Sequence, residues 1–281
     1  MRRSMKWMLA MALALALAAC GGTSPGPSAL VGRIVIGGSG GGYPVLQIVV
    51  DQFTARNPGV AIEFRPSSTT YAGIQQAADR QIDVASIGRE PTTSEARPGT
   101  EIHWAALDGV AIAVHPGVKL DAITAAQLRD VYAGKIRDWS ALGIAGGGEI
   151  VLIDRPEGET AKIAIRRVLG ADLRIAPSAV LMPREADAVM AVEKTSGAIG
   201  YYSVSYVLAR PGGSRMLALD GVLPQLARLQ DGTYPVTRPI GIVVSGAALD
   251  RSPLREFVAF VDGGRAATAL GAAGFAVQGA R

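Results

Sequence analysis

The stretch Gly37-Gly38-Ser39-Gly40-Gly41 is the first place where residue types and spacing suggest chemistry. It matches G-x-S-x-G, the strand-to-helix turn that presents a serine nucleophile in α/β-hydrolases. Such an elbow follows several strands, and here one short strand precedes it. His103 and His115 also lie too early for the order Ser…Asp…His. A serine hydrolase using this loop therefore stays the lesser alternative. The loop fails two phosphate-cofactor patterns as well: Tyr43 stands where G-x-G-x-x-G requires glycine, and no Gly-Lys-Ser/Thr occurs. What remains is anion binding, in which small residues bring backbone N–H groups close to a ligand and a following helix adds its positive dipole end. A tight turn for packing accounts for one such loop equally well. The arrangement recurs, however, at Ser67-Ser68-Thr69-Thr70 and at Arg155-Pro156-Glu157-Gly158-Glu159-Thr160, each before a helical pattern. Three such helix starts, one with an arginine suited to forked oxyanion binding, form a candidate oxyanion constellation.

Composition narrows the partners. The chain has 281 residues, 49% hydrophobic and 19% charged, a globular balance large enough for one big domain or two lobes. Its net charge of +4 suggests a basic protein, but Arg2, Arg3 and Lys6 are three of the 28 basic residues and precede Cys20. The remainder carries 25 basic against 24 acidic residues, which leaves no electrostatic footprint for nucleic acid. One cysteine excludes an internal disulfide, and two histidines argue against a zinc cluster, so no metal or cofactor is expected.

The basic start Met1–Lys6 and the apolar run Trp7–Ala16 are too short for a bilayer span and read as a secretory signal. Leu17-Ala18-Ala19-Cys20 resembles the bacterial lipoprotein cleavage signal, which implies residues 1–19 removed and Cys20 lipidated. Residues 20–30, rich in Gly, Pro and Ser, then form a flexible tether. The expectation is an exported protein, lipid-anchored at the envelope, in the periplasm or on the outer face of the cytoplasmic membrane.

The elements that must position the loops follow from periodicity. Arg33–Ile36 reads as a buried strand, and Pro44 starts a helix whose inner face is Leu46, Val49, Val50 and Phe53. Asn57-Pro58-Gly59 stops that helix. Val60, Ile62 and Phe64 alternate as a strand, a short helix covers Ile74–Arg80, and Ile82–Ile87 is a third strand. Thr124-Ala125-Ala126-Gln127 is a capping box opening a helix with Leu128, Val131 and Tyr132 on one face. Further on come strands at Glu149–Asp154 and Ile199–Tyr202, a helix at Ala161–Leu169, and a last helix after Ser252-Pro253 that buries Leu254, Phe257, Val258 and Val261. This alternation predicts an α/β fold with mainly parallel sheets. Tyr132 and Trp139 read as packing residues, His103 and His115 as structural, and Lys135 and Arg137 as surface charges. The stretch 210–221 reads as a turn and short strand.

Ala106-Leu107-Asp108-Gly109-Val110-Ala111-Ile112-Ala113-Val114-His115-Pro116 resembles the inter-lobe segment of phosphate-type ABC transporter substrate-binding proteins. Ile123 to Trp139, with its helix and Gly134-Lys135-Ile136 turn, is similar to the same family. So are Gly197-Ala198-Ile199-Gly200-Tyr201 and Gly232-Thr233-Tyr234-Pro235-Val236-Thr237-Arg238-Pro239. The resemblance implies the periplasmic-binding-protein-like type II fold: residues 31–107 plus 238–281 as one lobe, 108–237 as the other, and ligand between them. It implies phosphate or a related small oxyanion as ligand, an ABC permease as partner, a monomer, and no catalysis. It also implies the contact positions: Ser39 with the Gly40, Gly41, Gly42 and Tyr43 backbone, then Thr69 and Thr70, then Gly88 and Arg89, then Arg155, Gly158, Glu159 and Thr160. Three positions depart from the family. Its first-loop hydroxyl falls on Gly41 or Gly42, the proton-accepting Asp of some members falls on Gly88, and Glu157 and Glu159 replace fourth-loop serines. Glu159 either faces solvent, or pairs with Arg89 or Arg155, or marks a ligand other than phosphate. An anchored sensor or interaction protein with an altered or lost ligand is the alternative these departures keep open.

Overall fold

A computed structural model describes residues 30–277; the leader, Cys20 and most of the tether lie outside them. Strand β1 (Val31–Gly38) runs parallel to β2 (Gly59–Phe64) and β3 (Val84–Ile87). Helix α1 (Tyr43–Thr54) begins with Pro44 in its first turn, where a missing N–H costs nothing, and buries Leu46, Val49, Val50 and Phe53. Phe53 meets Phe257 and Phe260 edge-on at 5.2 and 5.4 Å, joining α1 to the late helix Leu254–Asp262. Helix α2 (Thr70–Ala78) starts earlier than periodicity alone suggests, because Thr69 caps it by accepting the Ala72 N–H.

Two long strands carry the chain between halves. Strand β4 (Thr100–Val114) pairs antiparallel with β10 (Thr237–Ser245) from Thr100↔Ser245 to Gly109↔Thr237. From Val110 onward β4 changes partners, pairing with β8 (Ala198–Ser203) and β9 (Arg215–Leu219). β6 (Val151–Asp154) lies parallel to β8, and β7 (Val180–Leu181) lies parallel to β6, while β5 (Ala122–Ile123) pairs with β9. The order β2-β1-β3-β10-β4-β8-β6-β7 is thus a mixed sheet. The expectation of mainly parallel pairing is corrected here: β10 is antiparallel to both neighbours, and β4 is antiparallel to β8 and β9. The reason is topological. A chain that leaves one half and returns must cross twice, in opposite directions.

Each half has its own core. Ile34, Ile36, Leu46, Phe53, Val84, Ile242 and Phe257 cluster in one; Val110, Ile112, Leu128, Tyr132, Trp139, Leu152, Ile199 and Tyr201 cluster in the other. Burying each such side chain contributes roughly 1.5–3 kcal/mol, so each half holds its loops on an independently packed base. In the second half, α3 (Ala125–Tyr132) carries the complete capping box, with Thr124 and Gln127 each bonded to the other's backbone. Helices α4 (Thr160–Leu169) and α5 (Glu185–Lys194) aim their N-termini at the strand crossing; periodicity revealed the first and missed the second. Among the described residues no helix is long and apolar enough to cross a membrane.

Candidate functional site

The glycine loop ends β1 and turns directly into α1 through a 3-10 turn at Gly40–Gly42. It is braced from β3: Ser39 N donates to Ser86 O at 2.8 Å, and Ser86 Oγ donates to Ser39 O at 2.9 Å. Ser86 Oγ also occupies the space that a side chain at position 42 would need. On position 41 a Cβ would come within 2.7 Å of Thr160 Oγ1 and 2.8 Å of Arg238 Nη1. A Cβ on Gly88 would lie 2.7 Å from Thr160 Oγ1 and 2.8 Å from its Cγ2. In this chain Ser86, Thr160 and Arg238 thus fill the volume that side chains at Gly41, Gly42 and Gly88 would need.

Thr160 is the first residue of α4, and its Oγ1 accepts from Arg238 Nη1 at 3.1 Å. Thr70, at the start of α2, is buried and accepts a long 3.5 Å bond from Gly88 N. The structure therefore brings Gly41, Gly88, Thr70 and Thr160 to one place where two halves meet.

Other sequence-named residues are engaged elsewhere. Thr69 is exposed and serves as the α2 cap. Tyr43 donates its hydroxyl to Arg65 O at 2.8 Å and packs on Phe64, so only its backbone belongs to the loop; partial burial raises the pKa of its phenol. Arg89 forms a bidentate pair with Glu95, both bonds 2.6 Å. That hydrogen bonding holds the Glu95 carboxyl down to about 2 against the opposing effect of burial. Gly158 is exposed in open space.

Arg155 and Glu159 resolve the question left by the sequence. Glu159 occupies the N-cap position of α4 but makes no side-chain cap; its Oε2 accepts from Arg155 Nη2 at 2.9 Å. Arg155 Nη1 donates to Met182 O at 2.9 Å, and its buried Nε has no partner. Burial raises the Glu159 pKa; Arg155 opposes the shift and Glu185 adds to it. Glu157 faces away, pairing with Lys162 and Arg166.

Three charged residues that sequence reasoning did not single out complete the site. Arg238, from β10, is 1% exposed and donates Nε to Asp108 Oδ2 at 2.9 Å and Nη2 to Glu185 Oε1 at 2.8 Å. Ser203 closes the ring, its Oγ donating to Asp108 at 2.7 Å and its N to Glu185 at 2.7 Å. Burial pushes the Asp108 carboxyl up to about 6, with Arg238 opposing and Glu185 adding. Burial works against the charge on Arg238, but Glu185 and Asp108 outweigh it and raise its pKa. A signal was present: Asp108 and Arg238 are lone charges in apolar strand runs, and a charge buried there must be paired.

Two binding-site features follow. The glycine side offers backbone N–H groups and helix starts, and the opposite side offers Thr160 and Arg155. Among the described residues the two histidines are engaged with other partners than Ser39: His103 bonds Asp262 and His115 accepts from Gly117 N. Trp139 is buried and donates to Gly197 O, and Lys135 pairs with Asp130 on the surface.

A mixed two-lobed α/β fold whose halves are joined by crossing strands and meet at helix starts is the architecture of binding proteins with a ligand between lobes. The chain belongs to the PBP superfamily, whose domain profile matches residues 23–262. It is 26% identical over 213 residues to the phosphate-binding protein PstS of Bacillus subtilis, an alignment spanning 73% of this chain and 67% of that protein. A shorter match, 30% identical over 111 residues, joins 40% of this chain to 38% of the phosphate-binding protein PstS 2 of Streptococcus agalactiae. In structure it resembles a Clostridium perfringens protein crystallised with bound phosphate, at TM-score 0.79 and 24% identity over 88% of this chain and all of that one. An ABC-type phosphate transport receptor from Vibrio cholerae follows at TM-score 0.67 and 21% identity, with 88% and 100% covered. These likenesses below 25% identity establish the two-lobed α/β fold.

Proposed function

We propose that the chain is an extracytoplasmic solute-binding protein that holds phosphate or a related small oxyanion between its lobes and presents it to an ABC permease. Residues 31–107 with 238–281 form one lobe and 108–237 the other, since β4 changes strand partners at Asp108–Val110. The observation that carries the reading is the meeting of the Gly41 and Gly88 backbone with Thr160 at the first residue of α4. Free N–H groups at a helix start, a hydroxyl and a buried guanidinium are the donors a small oxyanion needs. The relatives named phosphate-binding support phosphate as the first ligand to try. Closure would proceed by bending of β4 and β10, the hinge motion of two-lobed receptors. On this reading the protein acts as a monomeric receptor and not as an enzyme, which the relatives named phosphate-binding support.

Export and anchoring rest on the leader and Cys20. A single acyl chain holds a protein only marginally and two hold it firmly, so a diacylated Cys20 would retain it at the envelope. Intact mass of the N-terminal peptide, with fractionation of wild type beside Cys20→Ser, tests this: an unmodified thiol on a soluble wild type contradicts the anchor.

A second reading has a specific observation in its favour. Glu159 takes up one arm of Arg155, the guanidinium otherwise placed for an anion. A sensor or interaction protein that kept the fold and lost the ligand would show this. Calorimetric titration with phosphate, sulfate, molybdate and a phosphonate separates the two. Heat with any of them supports the receptor; silence with all, and no thermal shift, supports the second reading.

A further inference from the structure

The geometry points to Arg238 as a positioning residue for the anion site, one that fixes Thr160 as a hydrogen-bond donor to the ligand. This rests on the oxyanion reading above and deepens it. A threonine hydroxyl has one proton to give and two lone pairs to receive. Arg238 Nη1 uses the receiving side of Thr160 Oγ1 at 3.1 Å, which leaves the proton for another partner. Two nearby carboxylates compete for such a proton, and the same guanidinium occupies both. Its Nε and Nη2 hold Asp108 Oδ2 at 2.9 and 2.8 Å, and Nη2 holds Glu185 Oε1 and Oε2 at 2.8 and 3.1 Å. Ser203 supplies the remaining donors to those carboxylates through Oγ and N. With Asp108 and Glu185 held by Arg238 and Ser203, the Thr160 hydroxyl is left facing the Gly41 and Gly88 backbone, which it approaches so closely that a Cβ on either residue would lie 2.7 Å from its Oγ1.

The position of each partner makes this more than local packing. Asp108 and Arg238 lie on the crossing strands, Ser203 ends β8, and Glu185 and Thr160 are the first residues of α5 and α4. One guanidinium therefore ties the point where the chain changes lobes to the hydroxyl that would meet the ligand. Lysine at 238 keeps the charge but cannot reach three separate partners with a planar fork.

The test is a double-mutant cycle read by calorimetric titration of inorganic phosphate into the purified protein: wild type, Arg238→Lys, Thr160→Val, and both together. Each single change is expected to weaken binding about tenfold. The double variant is expected to bind within about twofold of Thr160→Val alone, because the arginine acts through that hydroxyl. Losses that multiply in the double variant, or Arg238→Lys within twofold of wild type, overturn the inference while the receptor reading stands. Absence of binding by wild type overturns both. If circular dichroism shows Arg238→Lys unfolded, Glu185→Gln replaces it in the cycle under the same criterion, since it loosens Nη2 and keeps the guanidinium.

Discussion

On one side of the lobe junction Gly41 and Gly88 present only backbone, whereas on the other Arg155, Glu159, Thr160 and Arg238 present side chains locked to one another. The glycine side is defined by what it omits. Ser86 braces the loop from behind, and Gly41 and Gly88 lie buried with Thr160 pressed against them where a Cβ would be. The side-chain wall is defined by pairing: three carboxylates, Asp108, Glu159 and Glu185, face two guanidiniums. An anion entering here gains donors from both walls and meets an excess of negative charge on the second. The contrast teaches that the two walls are built on opposite principles, one by omitting side chains and the other by pairing them, so a change on each wall probes a different part of the proposed site.

Adding a side chain to the glycine wall should have the largest effect. Gly88→Asp restores the family's carboxylate, yet its Cβ would fall 2.7 Å from Thr160 Oγ1 and its charge would join three others. Phosphate affinity is expected to drop more than about 100-fold in calorimetry, combining steric displacement with like-charge repulsion. Unchanged affinity would mean that the ligand sits elsewhere.

Arg155→Ala, on the opposite wall, removes a buried charged donor and leaves Glu159 unpaired. The cost to binding is expected to be about 1.5–3 kcal/mol, the scale of a hydrogen bond to a charged group. Glu159→Gln should move the other way. It keeps the shape, deletes one of the three carboxylates and releases Arg155, so phosphate binding is expected to tighten about tenfold. Weaker binding would make Glu159 a contact for the ligand's own proton.

The smallest expected effect compares two arginine–carboxylate pairs by pH. Glu95, held down to about 2 from 4.5 by Arg89, contributes stability above pH 4.5 that is lost as pH falls toward 2. Asp108, raised from 3.8 to about 6 chiefly by burial, binds a proton more readily in the native chain than in the unfolded one. Stability therefore falls as pH rises through that window, by the opposite sign. In denaturant melts, Glu95→Gln should flatten the acid slope and Asp108→Asn the slope between pH 4 and 6, each by about 1 kcal/mol.

What the sequence reveals depends on the distance over which it acts. Thr124 and Gln127 announce a helix start because both bonds close within three residues. Arg155 and Glu159 are an i,i+4 pair, so their contact stood among the readable options. Arg238 is 130 residues from Asp108 and 53 from Glu185, and no local pattern joins them. The same separation hid the crossing strands, whose antiparallel pairing follows from the path of the whole chain. Gly88 was legible as a departure, but its cause, the Thr160 side chain pressed against it, exists only in the fold.

The central claim is that a small oxyanion sits between the Gly41 and Gly88 backbone and Thr160. Crystals grown with arsenate, the heavier analogue of phosphate, test it through anomalous scattering from arsenic. The account predicts one strong peak with its oxygens about 3 Å from Thr160 Oγ1 and from backbone N–H groups of the glycine loop. No peak at the lobe junction, or a peak confined to surface arginines, would contradict it.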